Sequence, residues 1–367
     1  MKGIDRVAQH SHASQLKMLY NSIATASVAF ASVVSALPTE LSKRANIDTT
    51  VLQFALTLEH LENVFYKQAL KNFSQEDFQK AGYSADYYND LKYIAHDEEQ
   101  HVLLLEGALT AAGVTPVQAC TYSFPYYDVR SFITLSSVLE GVGTSAYLGG
   151  APLITSKQYL TVAASILVTE ALHTSLQRLA INEVPMANPY GTPLDPMSVY
   201  TLAAMFIVSC PASNAALPFT SYPSLQVDGS TCTCEEPQCG SPSDVVKRGD
   251  GWASRHHGWP ETWRPQQSNS CTPPSPGKSV MFTANSTIPA GSYVTFVSGL
   301  SVVSVQGNID GADITAAVPA QAMGQTYVFV TSQDEKGTLT AADIQYGPAV
   351  LEVNPPPPSI DYSILKE

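Results

Sequence analysis

The chain has 367 residues, 44% hydrophobic and 14% charged, with a formal net charge of −13. That much apolar material can build a core, so wholesale disorder is excluded. An acidic surface repels phosphate backbones, which argues against a nucleic-acid partner, and no unbroken apolar run of ~18 residues follows the N-terminus, which excludes a polytopic membrane protein.

The N-terminal 44 residues read as an address. Lys2, Arg6 and Lys17 precede a mildly apolar stretch over 19–36 that closes on the small residues Val34, Ser35 and Ala36. This is the layout of a signal peptide over 1–36, and Met18 opens a more compact version of it than Met1 does. An uncleaved anchor is the alternative; the Ser, Thr and Asn residues within the stretch weigh against it. Residues 37–44 end in the dibasic pair Lys43-Arg44, as a short propeptide would. Export would open two glycosylation sequons, at Asn72 and Asn285, and six cysteines suit an oxidising compartment. The expected location is therefore secreted or at the cell surface, with no stable membrane span after cleavage.

From 45 to 227 the pattern is helical. After Asp48, a candidate N-cap, Leu52, Ala55, Glu59, Glu62, Tyr66 and Ala69 recur in steps of three and four, the seam of a bundle helix. A second helix places Leu91, Ile94, Glu98, His101, Leu105, Ala108 and Ala112 in the same way and stops at Gly113. The third carries Ile133, Ser136, Glu140, Gly143 and Tyr147; the fourth carries Tyr159, Ala163, Ile166, Glu170, His173, Gln177 and Ala180. A shorter fifth helix is expected after Pro196, running toward Ser209. Residues 228–278 are rich in Cys, Pro and Trp and lack any period, as in an irregular linker. Short β-branched runs at 279–283, 293–297, 300–305, 327–331 and 349–353 indicate a small sandwich over 279–353, and a Pro-rich tail covers 354–367. The expected fold class is mainly α, a four-helix bundle followed by a small all-β sandwich-like domain.

Four seams each carry a carboxylate, and two add a histidine three residues later, in Glu98-Glu99-Gln100-His101 and Glu170-Ala171-Leu172-His173. At that spacing both side chains leave one helical face and can reach one ion. One Glu from each of two helices plus Glu-x-x-His from the other two is the ligand set of dinuclear carboxylate sites in four-helix bundles. A repeat sharpens the choice: Tyr66 follows Glu59, and Tyr147 follows Glu140, at the same seven-residue interval, each unit preceding a Glu-x-x-His. The repeat favours Glu59 over Glu62 on the first helix, so the expected metal ligands are Glu59, Glu98, His101, Glu140, Glu170 and His173, with Glu62 as second choice. A lone Glu-x-x-His usually marks a solvated helix face; here, without cations, several acids would be buried with no Lys or Arg to pair them, at several kcal/mol each. Oxygen and imidazole donors suit two divalent ions of iron or manganese, and the set is open to zinc. Convergence onto ions ~3.5–4 Å apart is the geometric requirement.

These residues also carry a resemblance. The segments Leu58-Glu59-His60-Leu61-Glu62-Asn63-Val64-Phe65-Tyr66, Leu139-Glu140-Gly141-Val142-Gly143-Thr144-Ser145-Ala146-Tyr147 and Phe206-Ile207-Val208-Ser209-Cys210-Pro211 resemble the ferritin-like domain of fungal stress-response and plant desiccation-related proteins. The likeness covers about 47–227 and extends more weakly to 279–353. It implies a ferritin-like bundle, often exported, whose biochemical activity is poorly defined. Residues 245–267 depart from the pattern, holding Trp252, Trp259, Trp263, His256-His257 and the pair Lys247-Arg248; they read as an insert or a gene-model artefact, and no function is drawn from them.

Other residues have blander expectations. His60 and His96 fall off the seam and read as surface histidines. Tyr66 and Tyr147 are expected as core aromatics with satisfied hydroxyls, or as partners of the ligands. Cys120 and Cys210 flank helices and are disulfide candidates; Cys232, Cys234, Cys239 and Cys271 lack the paired spacing of a zinc knuckle. Three functions remain in play: a dinuclear carboxylate oxidoreductase acting on peroxide, oxygen or iron; a metal-binding protein without turnover; and a structural stress protein whose β domain makes cell-surface contacts.

Overall fold

The computed structural model describes residues 39–228 and 273–364, with side chains in the first helix described from Ile47 onward. The signal-peptide expectation, the four linker cysteines, the three tryptophans and the 245–267 segment lie outside the described residues.

Four long helices form the bundle: α1 (Thr39–Asn72), α3 (Ala85–Ala111), α4 (Val129–Gly150) and α5 (Lys157–Ala180), with the six-residue α2 (Gln75–Lys80) between the first two. Their starts are set by side-chain caps. Ser84 accepts from Tyr87 N at 3.0 Å, Asp128 and Ser131 form a reciprocal capping box, and Ser156 accepts from Tyr159 N at 3.3 Å. Asp48 departs from expectation. Helix α1 begins at Thr39, so the first turns are built partly from residues 39–44, and Asp48 sits inside the helix rather than at its N-cap. Its carboxylate instead accepts from Thr155 N, Thr155 Oγ1 and Ser156 N at 2.6–3.1 Å, pinning the turn that leads into α5. His60 also departs: it is 7% exposed, with Nε2 3.0 Å from the carbonyl of Val117. Packing against the chain that leaves α3 covers a position that periodicity placed outside. His96 is exposed.

The fifth helix, α6 (Pro196–Ala204), is shorter than expected, because the chain turns into β2 (Ile207–Ser209), which pairs with β1 (Thr121–Tyr122). Beside this ribbon Cys120 and Cys210 form a disulfide across 90 residues of sequence. By length and apolar composition α5 is the one described helix able to cross a membrane; here it packs in the bundle and buries Ile166, Glu170, His173 and Gln177.

The β unit consists of two antiparallel sheets. One runs β10 (Ile344–Val353), β9 (Gly324–Thr331), β5 (Tyr293–Ser298) and β6 (Ser301–Gln306); the other runs β3 (Leu225–Val227), β4 (Ser279–Ala284), β8 (Asp313–Ala317) and β7 (Asn308–Asp310). The five expected runs became β4, β5, β6, β9 and part of β10. The additional strands β3, β7 and β8 are short, and β7 and β8 include Asp and Asn, which carry little strand signal. Strand β9 is buried along almost its whole length rather than on alternate residues. The reason is that both its faces are covered: Val328 and Val330 enter the sandwich core, while Tyr327 and Phe329 join the core of the bundle. The sheet thus lies directly on α4, the helix that carries Glu140.

Candidate metal centre

Seam geometry brings the acids together. Glu59 on α1, Glu98 on α3, Glu140 on α4 and Glu170 on α5 are all 0% exposed, and His101 and His173 are nearly so. They fall into two groups of four. Glu59, Glu98, His101 and Glu170 offer ligand atoms within 4.8 Å of one another, and so do Glu98, Glu140, Glu170 and His173. Glu98 and Glu170 belong to both groups, so each set has one private Glu, one private His and two shared carboxylates. All six residues expected from the sequence are present.

The histidines aim Nδ1 at the cluster. His101 Nδ1 lies 3.2 Å from Glu59, 3.3 Å from Glu170 and 3.4 Å from Glu98. His173 Nδ1 lies 3.0 Å from Glu98 and 3.4 Å from Glu140, and its Nε2 lies 3.3 Å from Asp97 Oδ2. Asp97 was not among the expected residues. It precedes Glu98 and therefore projects off the seam, yet this position lets it back the imidazole of the neighbouring helix, the usual way a metal-binding histidine is oriented.

The two tyrosines complete a reciprocal exchange. Tyr66 of α1 donates to Glu140 of α4, while Tyr147 of α4 donates to Glu59 of α1. Each private carboxylate is therefore held by the tyrosine lying seven residues along from the other. Burial, with the neighbouring carboxylate, pushes both phenols well above their ordinary range, so they remain hydrogen-bond donors. Behind Tyr66 the network continues through Gln177 Nε2 at 3.1 Å to Tyr87, whose hydroxyl donates to Gln177 Oε1 at 2.5 Å.

Glu62 is nearby but belongs to neither group. It is 4% exposed, and a Cβ on Gly143 would lie 2.9 Å from its Oε1 and 2.7 Å from Glu170 Oε2. The glycine in the α4 seam thus leaves the space these two carboxylates fill.

Electrostatically the cluster is overloaded with acid. Burial and surrounding carboxylates hold Glu62 and Glu170 well above the ordinary carboxyl range, and burial lifts Glu98 to about 7 against the pull of both histidines. Burial alone would lower both imidazoles, but the adjoining carboxylates more than offset it, raising His101 strongly and His173 to about 12. Even so, both oxygens of Glu98 and of Glu170, one oxygen of Glu140 and Nδ1 of His173 make no hydrogen bond. Buried polar atoms rarely go without a partner. Hard oxygen donors with imidazole, orphaned and converging on two points, fit divalent cations.

Residues 47–183 match the family model described as "Ferritin-like domain". This segment is a ferritin-like domain. The chain is also similar to protein rds1 of Schizosaccharomyces pombe, 27% identical over 187 residues; the match covers 50% of this chain and 45% of that protein. The chain thus spans about half the length of the curated relative it matches. Among solved structures, a conserved hypothetical protein, rv2844, from Mycobacterium tuberculosis aligns over 40% of this chain and 99% of that one, with 17% identity and a TM-score of 0.30. The ferritin-like domain holds every member of the acid–imidazole cluster, and the β unit lies beyond it.

Proposed function

We propose that the ferritin-like domain binds two divalent metal ions, iron or manganese, as an exported stress-response protein with redox activity toward peroxide, oxygen or iron. The observation that carries the metal reading is the set of orphaned oxygens of Glu98, Glu140 and Glu170 in a fully buried cluster. Glu98 and Glu170 would be shared between the ions, with Glu59 and His101 on one side and Glu140 and His173 on the other. Such ions, when bound, supply reversible one-electron chemistry. The chain supplies the rest: carboxylates neutralise positive charge, Asp97 orients His173, and Tyr66 and Tyr147 each donate a hydrogen bond that holds one private carboxylate in place. Aliphatic packing around the cluster excludes water. Export is supported by the sequence pattern of 1–36 and by the disulfide between Cys120 and Cys210; exposed Asn72 and Asn285 would then be glycosylated.

Elemental analysis of protein purified from its own secretion route, followed by a peroxide-consumption assay, tests this. Iron or manganese near two ions per chain and consumption of peroxide are expected. Metal without turnover would leave a non-catalytic metal-binding protein, and absence of metal would leave the structural reading, in which the β unit makes the contacts.

A further inference from the structure

The bundle seam continues past the ligand layer into open apolar space. A cavity of about 60 Å³ is walled by Ala55 and Leu58 of α1, Leu105 of α3, Tyr147 and Gly150 of α4 and Ala163 of α5, among others. Ala55 lies one turn before Glu59, Leu105 one turn after His101, Tyr147 two turns after Glu140 and Ala163 two turns before Glu170. In antiparallel helices these positions form the next layers of the same seam, so the cavity stacks on the cluster along the bundle axis. It exists because Ala55, Gly150 and Ala163 stand where larger side chains would fill a bundle core. A pocket walled in this way by apolar groups gives water few hydrogen-bond partners and suits a small apolar molecule.

Tyr147 lines the cavity while its hydroxyl donates to Glu59, so this side chain reaches from the cavity wall to the acid cluster. Leu153, also in the wall, is 37% exposed, which brings the wall out to solvent. No Asp, Glu, Lys, Arg or His lines the space. A cation would find no partner there, and an anion would meet the field of the carboxylates behind Tyr147.

We infer that this cavity binds a small uncharged apolar molecule, a short alkyl chain or a single ring, and holds it against the Tyr147 side of the cluster. Its service to a metal centre rests on the function proposed above; the binding itself does not.

The test uses the full chain, with and without manganese, and three probes of equal length: 1-hexanol, hexanoate and hexylammonium. Calorimetry and the thermal midpoint should show 1-hexanol binding one per chain, with the charged probes at least about tenfold weaker. Ala163→Leu should abolish hexanol binding while leaving metal content unchanged. If Ala163→Leu does not fold, xenon-pressurised crystals of the unaltered protein read the same site, and a xenon peak between Ala55 and Ala163 is expected. No hexanol binding, equal binding of all three probes, undiminished binding by folded Ala163→Leu, or no xenon in the cavity would each overturn the inference. Metal is measured on the same samples, so hexanol binding without metal would sink the proposed centre and keep the cavity, and the converse would do the reverse.

Discussion

At the scale of single residues, the reciprocal bonds from Tyr66 to Glu140 and from Tyr147 to Glu59 make the clearest prediction. Removing a partner that orients a metal ligand typically costs 10–100-fold in affinity. Tyr66→Phe and Tyr147→Phe should therefore each weaken metal binding by about tenfold in a competitive titration, and to similar extents; an unaltered affinity in both would contradict the assigned roles. Gly143→Ala makes a second prediction, because the added methyl would sit 2.7 Å from Glu170 and 2.9 Å from Glu62. Its metal affinity should fall while its helix content, read by circular dichroism, stays. The repeat of Glu and Tyr was readable from spacing alone, since a seven-residue interval returns to one helical face. The role of Asp97, the partners of the seam residue Gln177 and the true role of Asp48 were not, because each acts on a different element from its own, across contacts that one-dimensional periodicity does not record.

Among the elements, α4 is the most constrained. Its seam faces the acid cluster, and Tyr327 of β9 donates from its opposite side to the carbonyl of Gly141 and to Ser145 Oγ at 3.0 and 2.8 Å. Near its end Gly149 lies against the backbone of the loop before α6: a Cβ there would meet the carbonyl oxygen of Leu194 at 1.9 Å. Backbone cannot step aside as a flexible side chain can, so Gly149→Ala should destabilise the protein by at least about 1–3 kcal/mol, the usual cost of overpacking. A chemical-denaturation midpoint checks this, and an unchanged midpoint would contradict the close approach. The helices were legible because bundle seams repeat over many turns; β7 and β8 were not, because short edge strands are defined by their neighbours. The continuous apolar run of β9 identified a strand but not the helix lying across it.

For the whole molecule, the question is how the two cores are joined and what the cluster does to stability. Arg178 of α5 makes a bidentate ion pair with Glu352 of β10 at 2.7 and 2.8 Å, its side chain 5% exposed. Arg178→Ala would strand Glu352 against Glu183 and should cost about 3 kcal/mol in global unfolding, since breaking a buried pair leaves a charge behind. The cluster predicts a pH effect. Burial holds Glu98 at about 7 instead of 4.5, and the carboxylates of Glu140 and Glu98, outweighing burial, hold His173 at about 12 instead of 6.5. Both groups bind protons more tightly in the folded than in the unfolded chain. Their contribution to metal-free stability is therefore complete below about pH 4.5 and is lost as pH rises through 7 and beyond. Cations replace those protons, so the rise in thermal midpoint on adding manganese should be larger at pH 8 than at pH 5. The central claim is that buried acids converge here in order to hold ions, and anomalous diffraction from crystals soaked in manganese tests it most directly. Two peaks are expected, one within Glu59, Glu98, His101 and Glu170 and one within Glu98, Glu140, Glu170 and His173, both lost in Glu98→Gln; well-ordered crystals with no peak at either position would contradict it.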